Sequence, residues 1–298
     1  MALQENEAKY FTHTEQKVLS EYVTYEPGDL NLIISVPHGG SCKPKDIPNR
    51  VADAELGNTH ADVLGSAKNS SIKVCIKNDV FTVHLARLLA KALERQTGKR
   101  PYIVINRLHR IKLDCNRKVE EAALGEPDAV IAWKAYHDAI ETAKVAIGGR
   151  GLLLDIHGHS HAENWVELGY GVSRTRMNLG NYGPSDTSIR SLHEWCQMQD
   201  ASKHISELLS GHKSLGGLLE KAGYKVVPSP KHPSPKTGNY FSGGYSILRH
   251  GSKDIGCIDA IQIESPFKLR SIVSKRWKYA KSLARAVAEF LQINYPTC

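Results

Sequence analysis

Four short apolar segments stand out along the chain: residues 32–36 (LIISV), 102–105 (YIVI), 151–156 (GLLLDI) and 258–263 (IDAIQI). In the first three the apolar residues are nearly continuous rather than alternating with polar ones, and the fourth resembles them. This pattern is typical of strands that are covered on both faces, as in a parallel or mixed sheet beneath helices. We therefore predict four buried strands.

Between and after these segments, apolar residues recur at helical spacing. Helices are predicted over residues 81–93, with Asp79 as the N-cap, over residues 128–147, and over residues 277–291. Strands that alternate with helices predict an α/β fold with a mixed, mostly parallel sheet flanked by helices. We expect one domain over residues 1–298, with residues 1–28 as an N-terminal extension. Residues 227–244 contain four prolines and predict a long loop.

The charge balance is basic, with a formal net charge of +8. Such an excess can indicate nucleic-acid binding. Here the basic residues are scattered, aromatic residues make up only 7% of the chain, and no series of stacking residues accompanies them. A solvated basic surface or a positive pocket for an anionic substrate is favoured instead. No apolar run approaches the roughly 18 residues that span a bilayer. We therefore expect neither a nucleic-acid nor a membrane partner.

The six cysteines form no CxxC pair and no zinc-finger spacing. Their even number permits disulfides, and residues 69–71 (NSS) form a glycosylation sequon. Residues 1–21 are polar and carry no signal-peptide core. These features favour a soluble, mature secreted chain over a cytoplasmic one and leave the compartment open. Cys115 is expected to be a reduced residue that fills space inside a motif described below.

Polar residues follow each predicted strand. His38 follows the first strand, residues 110–117 follow the second, Asp155 and His157 close the third, and Glu264 closes the fourth. In open α/β sheets, ligands bind beyond the carboxyl ends of the strands. The repeated placement therefore predicts a functional site at this edge of the sheet.

The histidines at these strand ends suggest a metal. Two histidines and one carboxylate can hold zinc and leave its fourth position open. Asp155 lies on the same side of its strand as His157 and could orient that ligand. The alternative for His38 is a turn residue bonded to a nearby carbonyl. For His159 and His161 the alternative is solvent exposure, which we expect for His161.

Residues 110–117 (RIKLDCNR) combine two arginines with an amide and a carboxylate. An arginine fork suits a bidentate contact with a substrate carboxylate, Asn116 can add donors, and Asp114 can hold one guanidinium in place. The alternative is a salt-bridge cluster on the surface. At the end of its strand, Glu264 could move protons as a general base, or could form an ordinary ion pair.

The order of these segments resembles the N-formylglutamate amidohydrolase family and, more distantly, the zinc carboxypeptidases. The resemblance runs through residues 35–40 (SVPHGG), 110–117, 155–157 (DIH), 243–251 (GGYSILRHG) and 262–264 (QIE). It therefore spans roughly residues 30 to 265. It implies a carboxypeptidase-like α/β fold around one zinc ion.

The resemblance also implies residue roles. His38 and His157 match the histidine ligands of the metal. Asn116 and Arg117 match the pair that grips a substrate carboxylate, and Arg110 matches the arginine that polarises the scissile carbonyl. Glu264 matches the general base, and the phenol of Tyr245 could donate to the substrate. Arg249, in the same segment as Tyr245, is added as a substrate-binding residue.

Two departures from the pattern matter. Carboxypeptidases carry a glutamate ligand three residues after the first histidine, where this chain has Ser41. We choose Asp79 as the third ligand because its Asp-x-x-Thr-x-x-Leu setting matches an aspartate-led helix start in the family, and Asp62 is the second choice. After Glu264, residues 265–267 (SPF) replace a more polar continuation. This departure argues against formylglutamate as the specific substrate.

The resulting hypothesis is a zinc-dependent hydrolase of an amide bond next to a free carboxylate. Its partner would be a small acyl amino acid or a peptide with a free carboxylate. The alternative is a catalytically weak zinc protein that binds carboxylate ligands or peptide C-termini.

Overall fold

A computed structural model describes residues 21–50 and 74–296, and its centre is a mixed sheet of seven strands. Across the sheet the order is β1-β3-β2-β4-β7-β5-β6. The four central strands β3, β2, β4 and β7 run parallel, whereas β1 and β5 run antiparallel to their neighbours β3 and β7. In chain order the strands are β1 (Val23–Glu26), β2 (Leu32–Val36), β3 (Tyr102–Asn106), β4 (Gly151–His159), β5 (Val166–Gly169), β6 (Val226–Val227) and β7 (Ile258–Pro266).

All four predicted strands are present and form the parallel centre of the sheet. The prediction missed β1, β5 and β6, which are short and lie toward the sheet edges. It also ended two central strands too early, because β4 continues to His159 and β7 continues to Pro266. Strand β1 lies inside residues 1–28, the predicted extension, and pairs with β3. Asp62, the sequon at residues 69–71 and Cys298 lie outside the described residues.

The three predicted helices are present as well, with different ends. The helix α1 runs past the predicted end of residues 81–93, and the helix α10 begins before residue 277 and ends after residue 291. In chain order the helices are α1 (Thr82–Thr97), α2 (Val119–Ala123), α3 (Pro127–Ile147), α4 (Arg174–Leu179), α5 (Arg190–Gln199), α6 (Ile205–Ser210), α7 (Leu215–Lys221), α8 (Tyr245–His250), α9 (Phe267–Ser271) and α10 (Val273–Asn294), with a 3₁₀ turn at Pro184–Asp186.

Helices cover both faces of the sheet. Leu152 and Leu154 of β4 belong to the core that also contains α1 and α10, whereas Leu153 belongs to the core formed with α3. Because successive side chains of a strand point to opposite faces, Asp155 and His157 continue the row of Leu153 on the α3 side. The carboxyl end of that row is therefore polar, and this arrangement positions the site.

The long connection predicted over residues 227–244 is observed between β6 and α8. Five of the cysteines lie in the described residues, and none of these five forms a disulfide with another. Cys115 is buried and burial raises its thiol pKa, which agrees with a reduced space-filling residue. Within the described ranges, no helix is both long enough and apolar enough to cross a membrane.

Candidate metal centre and its surroundings

Three buried side chains converge at the carboxyl edge of the sheet. His38 lies just after β2, His157 lies near the end of β4, and Asp79 lies just before α1. One carboxylate oxygen of Asp79, Oδ2, is 3.1 Å from His157 Nδ1 and 3.5 Å from His38 Nδ1. The two imidazole rings are nearly perpendicular, with centroids 4.8 Å apart. The structure thus brings together the three residues predicted to bind a metal.

Two further carboxylates fix the orientation of the histidines. His38 Nε2 lies 2.6 Å from Asp114 Oδ1, and His157 Nε2 lies 2.8 Å from Asp155 Oδ2. Because an ionised carboxylate only accepts hydrogen bonds, each Nε2 carries the proton and donates it. Each Nδ1 is then left with a lone pair that points toward the other ring and Asp79. Metal-binding histidines are typically oriented in this way by a carboxylate behind the ring.

This arrangement fits a zinc ion. His38 Nδ1 is buried and has no hydrogen-bond partner in the described part of the chain. Ligand atoms around tetrahedral zinc, with bonds of 2.0–2.1 Å, lie roughly 3.3 Å apart. The observed separations of 3.1 and 3.5 Å lie on either side of that value. Two imidazole nitrogens and one carboxylate oxygen are also a donor set that zinc accepts.

The charges around the histidines also favour a cation. Burial alone would raise the pKa of Asp79, but the close approach of the His157 and His38 rings outweighs burial and holds this pKa well below its ordinary value. The pKa of Asp114 is also held well below its ordinary value, because His38 and the guanidinium of Arg110 outweigh the effect of burial. Burial would lower the pKa of His157, yet Asp155 and Asp79 raise it. A buried group of carboxylates this dense requires positive charge close by.

The role of Asp79 at the start of α1 differs from the prediction. Its side chain does not cap the helix but accepts a hydrogen bond from the Gly158 N–H at 3.2 Å. The residue before the helix is Phe81, whose φ of 69° produces a left-handed turn. Thr82 Oγ1 donates to the main-chain carbonyl of Asp79 at 2.7 Å. The N-cap prediction was wrong because the buried histidines compete for the carboxylate.

Glu264 lies next to this group. It pairs with His157 in the register of β4 and β7, and its Oε1 is 4.0 Å from His157 Nδ1. The same oxygen accepts a hydrogen bond from Gln262 Nε2 at 3.0 Å, while Oε2 is buried without a partner among the described residues. Burial raises the pKa of Glu264 to about 8, against the opposing effect of His157. This carboxyl group can therefore hold or release a proton near neutral pH.

Arg110 is buried beside the group instead of forming part of a surface cluster. Its Nε donates to Asp114 Oδ2 at 2.8 Å, and its Nη1 lies 4.0 Å from Asp79 Oδ1. Asp114 therefore contacts His38 with one oxygen and Arg110 with the other. The predicted hold of Asp114 on a guanidinium is confirmed, but its contact with His38 was not foreseen. Asp114 lies five residues before α2, and nothing in the local sequence indicated that partner.

Two of the predicted substrate-binding residues, Asn116 and Arg117, differ in burial. Asn116 is buried, with Nδ2 3.4 Å from His157 Nε2 and Oδ1 accepting from the Ser246 N–H at 2.8 Å. Arg117 is more open, with 40% of its side chain exposed, and donates to the Asn116 carbonyl. Asn116 therefore lies between His157 and the first turn of α8.

Tyr245 and Arg249 lie on α8, one helical turn apart. Arg249 Nη1 donates to the Tyr245 hydroxyl at 3.0 Å, and its guanidinium carbon lies 5.2 Å from the ring centre of Trp133. The indole N–H of Trp133 in turn donates to the main-chain carbonyl of Arg117 at 3.0 Å. Trp133 thus gives these two arginines a common neighbour, and sequence analysis did not single it out.

His159, His161 and Glu167 form a second group with ligand-like spacing. His161 is not solvent-exposed as expected: 21% of its side chain is exposed, and its Nδ1 lies 2.7 Å from Glu167 Oε1. His159 donates from Nε2 to the Trp165 carbonyl at 2.9 Å and accepts at Nδ1 from the His161 N–H at 3.0 Å. Both nitrogens of His159 are therefore occupied, and this group is a hydrogen-bond network.

No protein-family model matches this sequence, and no curated protein matches it. Solved structures do share the fold. An N-formylglutamate amidohydrolase from Ralstonia eutropha JMP134 aligns with a TM-score of 0.52 at 15% identity, over 92% of this chain and 98% of that one. A gene product of Agrobacterium tumefaciens aligns with a TM-score of 0.51 at 16% identity, over 95% of this chain and 98% of that one. The predicted α/β fold is confirmed, and family membership remains a prediction.

Proposed function

We propose that this protein is a zinc-dependent hydrolase that cleaves an amide bond next to a free carboxylate. The observation that carries the proposal is the convergence of two imidazole Nδ1 atoms and the Asp79 carboxylate, with Glu264 beside them. The fold shared with an N-formylglutamate amidohydrolase supports it, because that protein's name describes an amide hydrolase. Fold alone does not fix chemistry, so the proposal depends on the site.

His38, Asp79 and His157 would hold the zinc ion, with Asp114 and Asp155 orienting the two histidines. When bound, zinc would lower the pKa of a water molecule toward about 7 and polarise the scissile carbonyl. With three protein ligands, a position stays open, as catalytic zinc sites require.

Glu264 would act as the general base and then as the general acid. Its free Oε2 can accept a proton from the attacking water and return it to the leaving amine. Burial beside His157 keeps the carboxyl group at the reacting centre and away from bulk solvent. Arg110, held by Asp114, would stabilise the negative charge that develops on the carbonyl oxygen.

The free carboxylate of the substrate would be bound by Arg117 with Asn116, and Arg249 and Tyr245 would complete that side of the pocket. Arg117 and Arg249 are open enough to meet a ligand, and both neighbour Trp133. A guanidinium fork binds a carboxylate through two parallel hydrogen bonds, which fixes the position of the scissile bond. A small acyl amino acid or a peptide C-terminus has a free carboxylate beside an amide bond, as this arrangement of residues requires.

The test compares matched substrates on the zinc-loaded protein. A panel of N-acyl amino acids is assayed beside the same compounds with the carboxylate converted to a carboxamide. We expect hydrolysis of the free acids, with kcat/KM falling at least about tenfold for the carboxamides, since a charged hydrogen-bonded pair is lost. Equal values of kcat/KM for the acids and the carboxamides would contradict the proposed binding of the substrate carboxylate by Arg117 and Asn116.

A protein that binds the acids tightly, holds zinc and hydrolyses none of them would instead be the catalytically weak binding protein. Isothermal titration with the same compounds separates two cases. A binding protein should bind the acids tightly, whereas a hydrolase whose substrate is absent from the panel should bind them weakly.

A further inference from the structure

Arg270 is buried at the back of the candidate metal centre, although it contacts none of the proposed ligands by a side-chain hydrogen bond. It lies on α9, six residues after Glu264, and only 2% of its surface is exposed. Its guanidinium donates three hydrogen bonds, all to main-chain carbonyls. Nε donates to Ser265 at 2.9 Å, Nη2 donates to His159 at 3.2 Å, and Nη1 donates to Val80.

These three carbonyls belong to the three segments that carry Asp79, His157 and Glu264. Val80 directly follows Asp79, His159 lies two residues after His157, and Ser265 directly follows Glu264. These segments are the loop before α1, the end of β4 and the end of β7. Only β4 and β7 pair directly in the sheet, so the guanidinium adds a bridge from both strands to the Asp79 loop.

The backbone is shaped to admit this guanidinium. A side chain at Gly158 would overlap Arg270 Cζ and Nε, so the strand between His157 and His159 can approach the arginine only with glycine there. Burial lowers the pKa of Arg270, and the carboxylates of Asp79 and Glu264 oppose that effect. The arginine therefore also brings positive charge near these two carboxylates.

We propose that Arg270 is a positioning residue that sets the spacing of Asp79, His157 and Glu264 by binding the main chain beside each. This inference rests on the proposed function, because it assigns Arg270 to the same zinc centre. A planar guanidinium suits the task, since its donors point in three fixed directions. A lysine keeps the charge but concentrates its donors on one nitrogen, so it cannot span three carbonyls on separate segments.

The test replaces Arg270 with lysine and measures metal binding directly. Zinc affinity is determined by competition with a chromophoric chelator, and the visible spectrum of the Co²⁺-loaded protein reports the geometry of the ligands. At a temperature where circular dichroism shows a folded protein, Arg270→Lys should bind zinc at least about tenfold more weakly and change the Co²⁺ spectrum, because residues that orient ligands typically contribute that much.

Arg150→Lys is the matched control. Arg150 precedes the opposite end of β4, donates to the Asn294 carbonyl at 3.2 Å and stacks over Trp195. This variant should leave zinc affinity and the Co²⁺ spectrum unchanged. If Arg270→Lys does not fold, Gly158→Ala tests the same bridge from the strand side, because its methyl group displaces the guanidinium, and the same weakening is expected.

The outcomes separate the two proposals. Wild-type protein that binds zinc, together with variants that bind it equally well and give the same Co²⁺ spectrum, would overturn the positioning role and leave the proposed function intact. A lower melting temperature with unchanged zinc affinity and Co²⁺ spectrum would also overturn the positioning role, because loss of a purely structural arginine lowers stability in the same way. Wild-type protein that binds neither zinc nor Co²⁺ would overturn both proposals.

Discussion

At the scale of single residues, the candidate centre depends on which nitrogen of each histidine is free. Asp114 and Asp155 each accept a hydrogen bond from the Nε2 of one histidine, and this leaves both Nδ1 atoms directed at Asp79. Without those carboxylates the rings could turn or change tautomer. These two carboxylates therefore orient the nitrogens that the proposed metal site requires.

Glu264→Gln tests the assignment of the base. The amide cannot take a proton from water, so kcat should fall by a factor of about 10² to 10⁴. Because Glu264 is not one of the three proposed ligands, zinc content should stay unchanged. Hydrolysis rate and metal content are measured on the same preparation. Glu289→Gln, at an exposed position of α10, is the control and should keep full activity.

Retained turnover in Glu264→Gln would remove this residue from the role of base. Loss of zinc together with activity would instead indicate that Glu264 is a metal ligand.

At the scale of secondary structure, the sequence predicts the central strands well and the edges poorly. The buried strands β2 and β3 are continuous apolar runs, whereas β6 has only two residues and β5 carries a buried glutamate, Glu167. The ends of β4 and β7 were missed because polar residues of the candidate site, such as His157 and Glu264, replace apolar ones there. The same change from apolar to polar residues is what identifies the candidate site residues at the strand ends in the sequence.

Contacts between distant segments were not predictable. Glu167 lies opposite Glu264 in the register of β5 and β7, and no local pattern indicates this pairing. The contact of Asp114 with His38 and the reach of Arg270 to Val80 likewise join residues far apart in the chain. Such contacts depend on how the segments pack, which a pattern of apolar positions does not specify.

Asp259, the second residue of β7, connects this strand to three other segments of the chain. Its carboxyl group accepts hydrogen bonds from the Leu192 N–H in α5, from Ser252 Oγ and from the Tyr295 hydroxyl after α10. Burial raises its pKa to about 6, against an ordinary value of 3.8. The stability that this raised pKa contributes is fully present below about pH 4 and is lost as the pH rises through about 6.

Asp259→Asn resembles the protonated form at every pH. The free energy of unfolding of the wild type, relative to this variant, should therefore fall between about pH 4 and pH 6 by up to about 3 kcal/mol and then level off. Urea unfolding of both proteins at several pH values measures the difference, and other titrating groups cancel in it. A difference that does not change with pH would contradict the assignment.

At the scale of the whole molecule, the fold gathers residues from most of the chain at one edge of the sheet. The loops after β2 and β3, the start of α1 and the ends of β4 and β7 each supply part of the centre. The parallel strands make this possible, since their carboxyl ends meet at one edge. A net charge of +8 also suits an anionic substrate, because a positive field raises its local concentration.

The proposed zinc site of His38, Asp79 and His157 is tested by the metal content of the purified protein, measured by elemental analysis. Wild-type protein should contain about one zinc per chain. His157→Ala should lose it, while His212→Ala, at an exposed histidine, should keep it. Wild-type protein that stays free of metal when purified with zinc supplied, or His157→Ala that retains its zinc, would show that these three residues do not form a zinc site.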